Sequence, residues 1–502
     1  MSRTHRATPL TVTDDEAHLQ SLGYPQVLVR RMGPFSNFAI SFSVISILSG
    51  CMTLYGFGLT TGGPAVMLWG WAGVGLMVLL LGMAFAEVTS AYPTSGALYY
   101  QANALGGPRW GWYTGWLNLL GLLGAIAGID YGAAQFVGAL MQMQFSFTPT
   151  PGKLFGIFAV ILLLHAVVNL RGVRLVAILN CVSVIWHLAG VAVIVAVLAL
   201  VPAHHQSAGF VFTHFANGTG WHNSLYVSAV GLLLAQYTFS GYDASAHLSE
   251  ETTGASLAAP RGIVRSIWVS WIAGAVLLAG LTFAIQDYAG TVGTATGVPP
   301  AQIFLDAVGS TGAKLLLLIV IGAQLFCGAA EVAAASRMAF AFSRDGALPG
   351  SAWWRKVSPK TATPVAAVWL SVGVALVLTL PVLYSPTAYA AVTSINVIGI
   401  TPAIAIPVFL RLRAGRRFRP GPWSLGRWST PIGVVAVLWV AIVTLLFCLP
   451  QVSPVTVDSF NYAGVVLLLV LIGAEVSFRV VGPRYSVPVA DRAMAELAAE
   501  VV

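Results

Sequence analysis

The chain has 502 residues, of which 25 are Lys or Arg and 17 Asp or Glu, so 8% are charged, against roughly 25% in a soluble globular chain. Hydrophobic residues make up 57%, and the mean hydropathy is +0.82. That leaves too little charge to cover a water-soluble surface of this size, which excludes a soluble enzyme, a nucleic-acid binder and a disordered scaffold.

Residues 1–35 are polar and lack an apolar stretch, so no cleavable signal peptide is expected and the first hydrophobic segment must direct insertion. A membrane helix needs about 20 mostly apolar residues. Such windows centre near Ile45, Val78, Gly124, Leu162, Val191, Leu232, Val276, Ile319, Val374, Ile400, Val440 and Leu468, which gives twelve segments, numbered one to twelve in chain order. Gly, Pro or polar residues interrupt the first, sixth and tenth.

Twelve crossings put both termini on one side, and the distribution of positive charge tests that count. With a cytoplasmic N-terminus, Arg3, Arg6, Arg30, Arg31, Arg109, Arg171, Arg174, Arg261 and Arg265 all fall inside. So do Arg337, Arg344, Arg355, Lys356, Lys360, Arg411, Arg413, Arg416, Arg417, Arg419, Arg427, Arg479, Arg484 and Arg492, leaving only Lys153 and Lys314 outside. The net charge of +8 is therefore a topology signal rather than a nucleic-acid footprint. The expected location is the plasma (inner) membrane. Cys51, Cys181, Cys327 and Cys448 lie far apart in apolar runs and read as buried free thiols, with neither metal spacing nor a disulfide framework.

Segment one carries Ser49-Gly50 and segment six Ser240-Gly241, a Ser-Gly step at mid-membrane in each. Five segments separate the two, an odd number, so the copies run in opposite directions. Interrupted segments at matching places in two halves point to an inverted-repeat transporter. A broken helix exposes backbone polar groups, which the membrane interior tolerates only where they line a cavity or bind something. Close helix packing on small residues is the alternative for either step alone.

Three stretches carry a resemblance to a known family. The first runs from Gly62-Gly63-Pro64-Ala65 through Glu87 to Tyr92-Pro93-Thr94-Ser95-Gly96-Ala97-Leu98-Tyr99-Tyr100. The second is Ser240-Gly241-Tyr242-Asp243-Ala244-Ser245-Ala246-His247-Leu248-Ser249-Glu250-Glu251-Thr252 with Ala259-Pro260-Arg261-Gly262-Ile263, and the third Ser336-Arg337-Met338 with Ser343-Arg344-Asp345-Gly346-Ala347-Leu348-Pro349. These resemble the amino acid–polyamine–organocation permease superfamily, and within it the amino acid/choline permeases. The resemblance implies an all-α polytopic membrane fold of the leucine-transporter type, a 5+5 inverted repeat with two extra C-terminal helices. On that reading residues 1–35 are a cytoplasmic tail, 36–203 the first repeat, 204–223 an extracellular loop and 224–412 the second repeat. Residues 413–428 are then a basic cytoplasmic loop, 429–482 segments eleven and twelve, and 483–502 a cytoplasmic tail. It also implies proton-coupled uptake, or exchange, of amino acids or related amines.

By the same resemblance Ser49, Gly50, Cys51 and Met52 face a substrate carboxylate, while Phe239, Ser240 and Gly241 offer carbonyls to its amine. Amides at a half-helix N-terminus suit an anion on dipole grounds alone. Asp243 stands at the break of segment six, where a carboxylate would attract an ammonium or cap the following half-helix. Tyr237 and Tyr242 flank the same break as pocket-lining or packing groups.

His187 lies in the middle of segment five, and histidine is the side-chain type that titrates near neutral pH. Counting from Gly172-Val173, it occupies the position where some proton-coupled relatives carry a lysine whose proton replaces a sodium ion. His187 is therefore the candidate proton-coupling residue, against a neutral histidine bonded to a carbonyl. Asp130, His165 and Glu331 are further buried polar or relay candidates. His247 and Glu251 share a helical face, and with Glu250 suggest gating with Arg261 or Arg344 rather than a metal pair; Glu87 is expected to act similarly. Trp69, Trp71, Trp110, Trp112, Trp116, Trp353 and Trp354 fall near segment ends, as an aromatic belt requires.

The expectation is a secondary transporter with a small-molecule substrate, a proton as coupling ion and the lipid bilayer as partners, and no cofactor, metal or nucleic acid. A choline or polyamine permease, an exchanger and a non-transporting nutrient sensor are the alternatives. No His-Glu-x-x-His, Walker loop or nucleophile elbow supports an enzyme.

Overall fold

The computed structural model describes residues 12–145, 147–385, 387–482 and 485–487, and among these every regular element is a helix. Arg3, Arg6, Arg484 and Arg492 of the charge pattern, with residues 1–11 and 488–502 of the two tails, lie outside the described residues. Eleven helices are long and apolar enough to cross a membrane: Pro34–Thr53, Gly63–Ala91, Pro108–Phe145, Pro151–Leu170, Val173–Leu200, Ala255–Phe283, Pro299–Arg344, Val365–Leu383, Ala388–Arg417, Gly426–Leu446 and Ala463–Val481. They cover every sequence window except the sixth, whose apolar helix, Ser224–Thr238, is shorter.

Helices suit this composition because they satisfy every backbone polar group within the segment. Their ends are written locally. Pro34, Pro64, Pro108, Pro151 and Pro299 open helices where a missing N–H costs nothing. Asn223 Oδ1 caps Leu225 N at 3.0 Å. The Pro108–Phe145 helix of segment three forms the centre, and Gly121 lets segment ten approach it. A Cβ on Gly399 would meet Gly121 N at 2.6 Å, and Asn396 Nδ2 donates to Gly121 O at 2.9 Å across the same crossing.

Three expectations need correction. Segment ten is one helix, Ala388–Ala414, despite Pro402 and Pro407, because neighbouring helices hold it. Segment eight carries non-helical backbone at Gly309 (φ 69°), outside the apolar core of the segment. Trp69 and Trp353 are exposed, as a belt requires, but Trp71 and Trp112 are buried because their N–H groups find carbonyls inside, on Trp271 (2.8 Å) and Ala474 (2.9 Å). Of the four thiols, Cys51 and Cys327 are buried and Cys181 and Cys448 only partly so. Segments eleven and twelve expose Leu438, Ile442, Leu445, Leu468, Leu469 and Ile472, an apolar surface suited to lipid.

Candidate functional site

Segment one is interrupted at Ser46, three residues before the Ser49-Gly50 step that the sequence marks. Helix Pro34–Ile45 ends there, Ser46 takes a left-handed conformation (φ 34°, ψ 81°), and helix Ile47–Thr53 begins. Ser49 and Gly50 lie inside that second helix, their amides bonded to Ser46 O at 2.8 and 3.0 Å. The amides left to open the helix belong to Ile47 and Leu48. Gly50 serves close approach instead: a Cβ there would meet the Thr238 Cα of segment six at 2.8 Å. Cys51 and Met52 follow on the same buried turn, and Met52 reaches a cavity of about 310 Å³ with Thr53, Phe57, Gln135 and Tyr389.

Segment six breaks where the sequence marks it. Helix Leu233–Thr238 stops, Gly241 takes φ 94°, and a short helix resumes at Ala244–His247. Gly241 is required twice, for its positive φ and because a Cβ would meet Val44 Cγ1 at 2.0 Å. Phe239 and Ser240 donate their amides back to Ala235 O and Tyr237 O, while no bond is made to the carbonyls of Thr238, Phe239 and Ser240 by the backbone or by the described side chains. Phe239 stacks on Trp71 with ring centroids 4.3 Å apart, Tyr242 is buried with its carbonyl taking the Ser41 hydroxyl at 2.7 Å, and Tyr237 is buried with an unpartnered hydroxyl. Asp243 stands at the N-cap position of Ala244–His247 but makes no capping bond. Its Oδ2 faces His247 Nε2 at 3.2 Å and Asn118 Nδ2 at 3.5 Å.

His187 is brought to the break of segment one. Its Nδ1 lies 2.8 Å from Ser183 O, an acceptor only, so that nitrogen carries hydrogen. Its Nε2 lies 2.7 Å from Ser46 Oγ. The neutral ring accepts from the Ser46 hydroxyl, and the protonated ring donates to it. Cys327 of segment eight donates to Val44 O (3.2 Å) beside the same break. Asp130 Oδ2 pairs with His165 Nδ1 at 3.0 Å, and Glu331 is buried near Asp130 and Asp243 without a partner.

At the basic end of the bundle the structure closes. The His247–Glu251 face expected from the sequence does not form as one helix, since Ser249–Glu251 is a separate 3-10 turn. His247 turns back to Asp243; Glu251 pairs with buried Arg337 at 2.9 Å rather than with Arg261, and Glu250 with Arg344 at 3.2 Å. Glu87 takes no part in that closure. It anchors the basic loop, accepting from Leu425 N (3.1 Å) and Ser424 Oγ (2.9 Å) and pairing with Arg411 at 3.1 Å.

Sequence reasoning missed the strap that locks this end. Residues 22–33 run beneath segments six and eight: Gln26 Nε2 donates to Glu250 O at 2.8 Å and Arg30 Nη1 to Ser249 O at 3.0 Å. The Tyr24 and Tyr99 hydroxyls both donate to Asp345 Oδ2, at 2.7 and 2.8 Å, and the Arg344 guanidinium lies 3.9 Å over the Tyr24 ring. Burial pushes the Asp345 carboxyl up to about 6 despite Arg344 and both hydroxyls, and burial with Asp345 holds Tyr24 well above its usual range. The one available signal was Tyr24, an aromatic residue in the polar stretch before segment one.

Comparison with known proteins agrees with this architecture. The family model described as amino acid permease matches residues 32–472. An amino-acid permease BAT1 homolog of Oryza sativa subsp. japonica is 40% identical over 480 residues, 91% of this chain and 92% of the relative. Amino-acid permease BAT1 of Arabidopsis thaliana is 38% identical over 471 residues, 90% of this chain and 91% of the relative. A GABA-specific permease of Saccharomyces cerevisiae is 30% identical over 486 residues, 94% and 85% of the two chains. A chain whose described residues form helices alone, eleven of them long and apolar, and which is matched over nearly its whole length belongs to the amino acid permease family and is a multi-pass membrane transporter of amino acids.

Proposed function

We propose that the protein is a proton-coupled secondary transporter that works by alternating access around the breaks of segments one and six. The observation that carries this reading is the pairing of the breaks. Gly50 brings segment one against Thr238, so the open carbonyls of Thr238, Phe239 and Ser240 and the opening amides of Ile47 and Leu48 belong to one crossing. An amino acid offers the matching groups, an ammonium for the carbonyls and a carboxylate for the amides. Ser49, Gly50, Cys51 and Met52, with Tyr237, Phe239, Ser240, Gly241, Tyr242 and Asp243, surround that crossing.

In this reading segment six crosses as an interrupted twelfth span, segments one to five and six to ten are the inverted repeats, and both termini are cytoplasmic at the plasma membrane. The cavity at Met52 and Tyr389 lies at the end opposite the Arg344–Glu250 and Arg337–Glu251 pairs, so the conformation is open outward and closed inward. His187 is the proton site, because its Nε2 touches the residue that breaks segment one.

The substrate is an amino acid, and similarity to a GABA-specific permease places short ω-amino acids first in the panel to test. The test is uptake by purified protein in liposomes under an imposed proton gradient, with amino acids, choline and polyamines offered in turn. Accumulation of an amino acid that a protonophore abolishes supports the reading. Movement only against a preloaded counter-substrate makes the protein an exchanger and removes the role of His187.

A further inference from the structure

Among the described residues four carboxylates have no exposure, and with Glu250 paired to Arg344 at the closed end, three remain in the core of the bundle: Asp130, Asp243 and Glu331. Two have a histidine, His165 Nδ1 at 3.0 Å from Asp130 and His247 Nε2 at 3.2 Å from Asp243. Glu331 has none. Neither of its oxygens finds a donor among the described residues, and the other two buried carboxylates, Asp243 and Asp130, bear its own sign.

The other titratable groups around it supply no cation either. Segment four offers His165, committed to Asp130; segment five offers His187, committed to Ser183 and Ser46; segment six offers His247, committed to Asp243, and the Tyr237 hydroxyl. On its own helix Cys327, one turn away, donates to Val44 O, and Arg337 is held by Glu251. The helix that carries it nonetheless packs against this cluster. Gln324, Cys327 and Glu331 share one helical face, and Gln324 also has both amide atoms unpartnered. Gly328 beside them lets that face approach so closely that a Cβ would meet Asp130 Oδ1 at 2.0 Å and His165 Cε1 at 2.4 Å.

Charge balance then decides what Glu331 holds. Protonating both histidines offsets two carboxylates and leaves the third. A lone buried carboxylate beside two of its own sign must either bind a proton or pair with a cation. We propose that Glu331 is a second proton-binding site, distinct from His187.

The proton site does not depend on the substrate reading above. Infrared difference spectra of the substrate-free protein are expected to show the C=O stretch of a buried protonated carboxyl, absent in Glu331→Gln. If that band is missing, or survives in the variant, the proton site is overturned. Should the Gln variant not be recovered, Glu331→Asp must shift the band, and an unshifted band overturns the assignment equally.

Discussion

His187 Nε2 lies 2.7 Å from the hydroxyl of Ser46, the left-handed residue at which segment one breaks. Because Nδ1 is tied to Ser183 O, any change of charge on the ring must reverse the bond to Ser46. The conformation of the break and the proton are therefore linked through one hydrogen bond. His187→Gln and Ser46→Ala are expected to abolish accumulation driven by a proton gradient. Substrate affinity should change no more than about fivefold, the worth of one net hydrogen bond of about 1 kcal/mol. The measurement is uptake with and without the gradient beside equilibrium binding. Full gradient-driven uptake in His187→Gln would remove the histidine from coupling.

Asp243 is already faced by His247 and Asn118. An asparagine keeps the shape and both partners, so Asp243→Asn should leave the affinity for a neutral amino acid within about tenfold, or about 1.4 kcal/mol. A carrier of choline or of a polyamine should lose binding instead. Competition binding with the three substrate classes decides between these outcomes.

Gly241→Ala should unfold the break of segment six. The left-handed backbone costs a residue with a Cβ about 1–2 kcal/mol, and the 2.0 Å approach to Val44 Cγ1 adds overpacking strain of about 1–3 kcal/mol. A large drop in melting temperature and loss of transport are expected. Near-normal melting would mean that Val44 and its helix move aside.

Asp345 gives the strap a pH dependence whose sign follows from its position. Its carboxyl ionises near 6 in the folded chain and near 3.8 in the unfolded one, so the fold favours the protonated form. Stability is fully present below 3.8 and is lost as pH rises through about 6, by about 3 kcal/mol at 1.36 kcal/mol per unit. Asp345→Asn, which still accepts from Tyr24 and Tyr99, should flatten the melting temperature across that window. A wild-type profile that rises with pH over the same range would contradict the assignment.

The Glu251–Arg337 pair is buried at both partners. Arg337→Met leaves Glu251 ionised without its partner and should cost about 3–5 kcal/mol. Adding Glu251→Gln should recover much of that loss. If the double variant is no better than the single, the cost lies in packing rather than in the unpaired charge.

Composition and period alone determined that this chain crosses a membrane and where eleven of the helices lie, and the paired Ser-Gly steps pointed to the break of segment six at Ser240-Gly241. Those features are local, because about 20 apolar residues satisfy their own backbone and a glycine alone supplies a positive φ cheaply. The tertiary structure decided the rest. Ser46 breaks segment one with no glycine or proline to announce it, because His187, 141 residues away, takes its hydroxyl. Gly50 turned out to be a contact with Thr238, and His247 and Glu251 chose Asp243 and Arg337 over a shared face. Tyr24 closes on Asp345 across 321 residues. Buried polar groups must find partners wherever the fold brings them, and that choice depends on packing between distant segments, which no local pattern records.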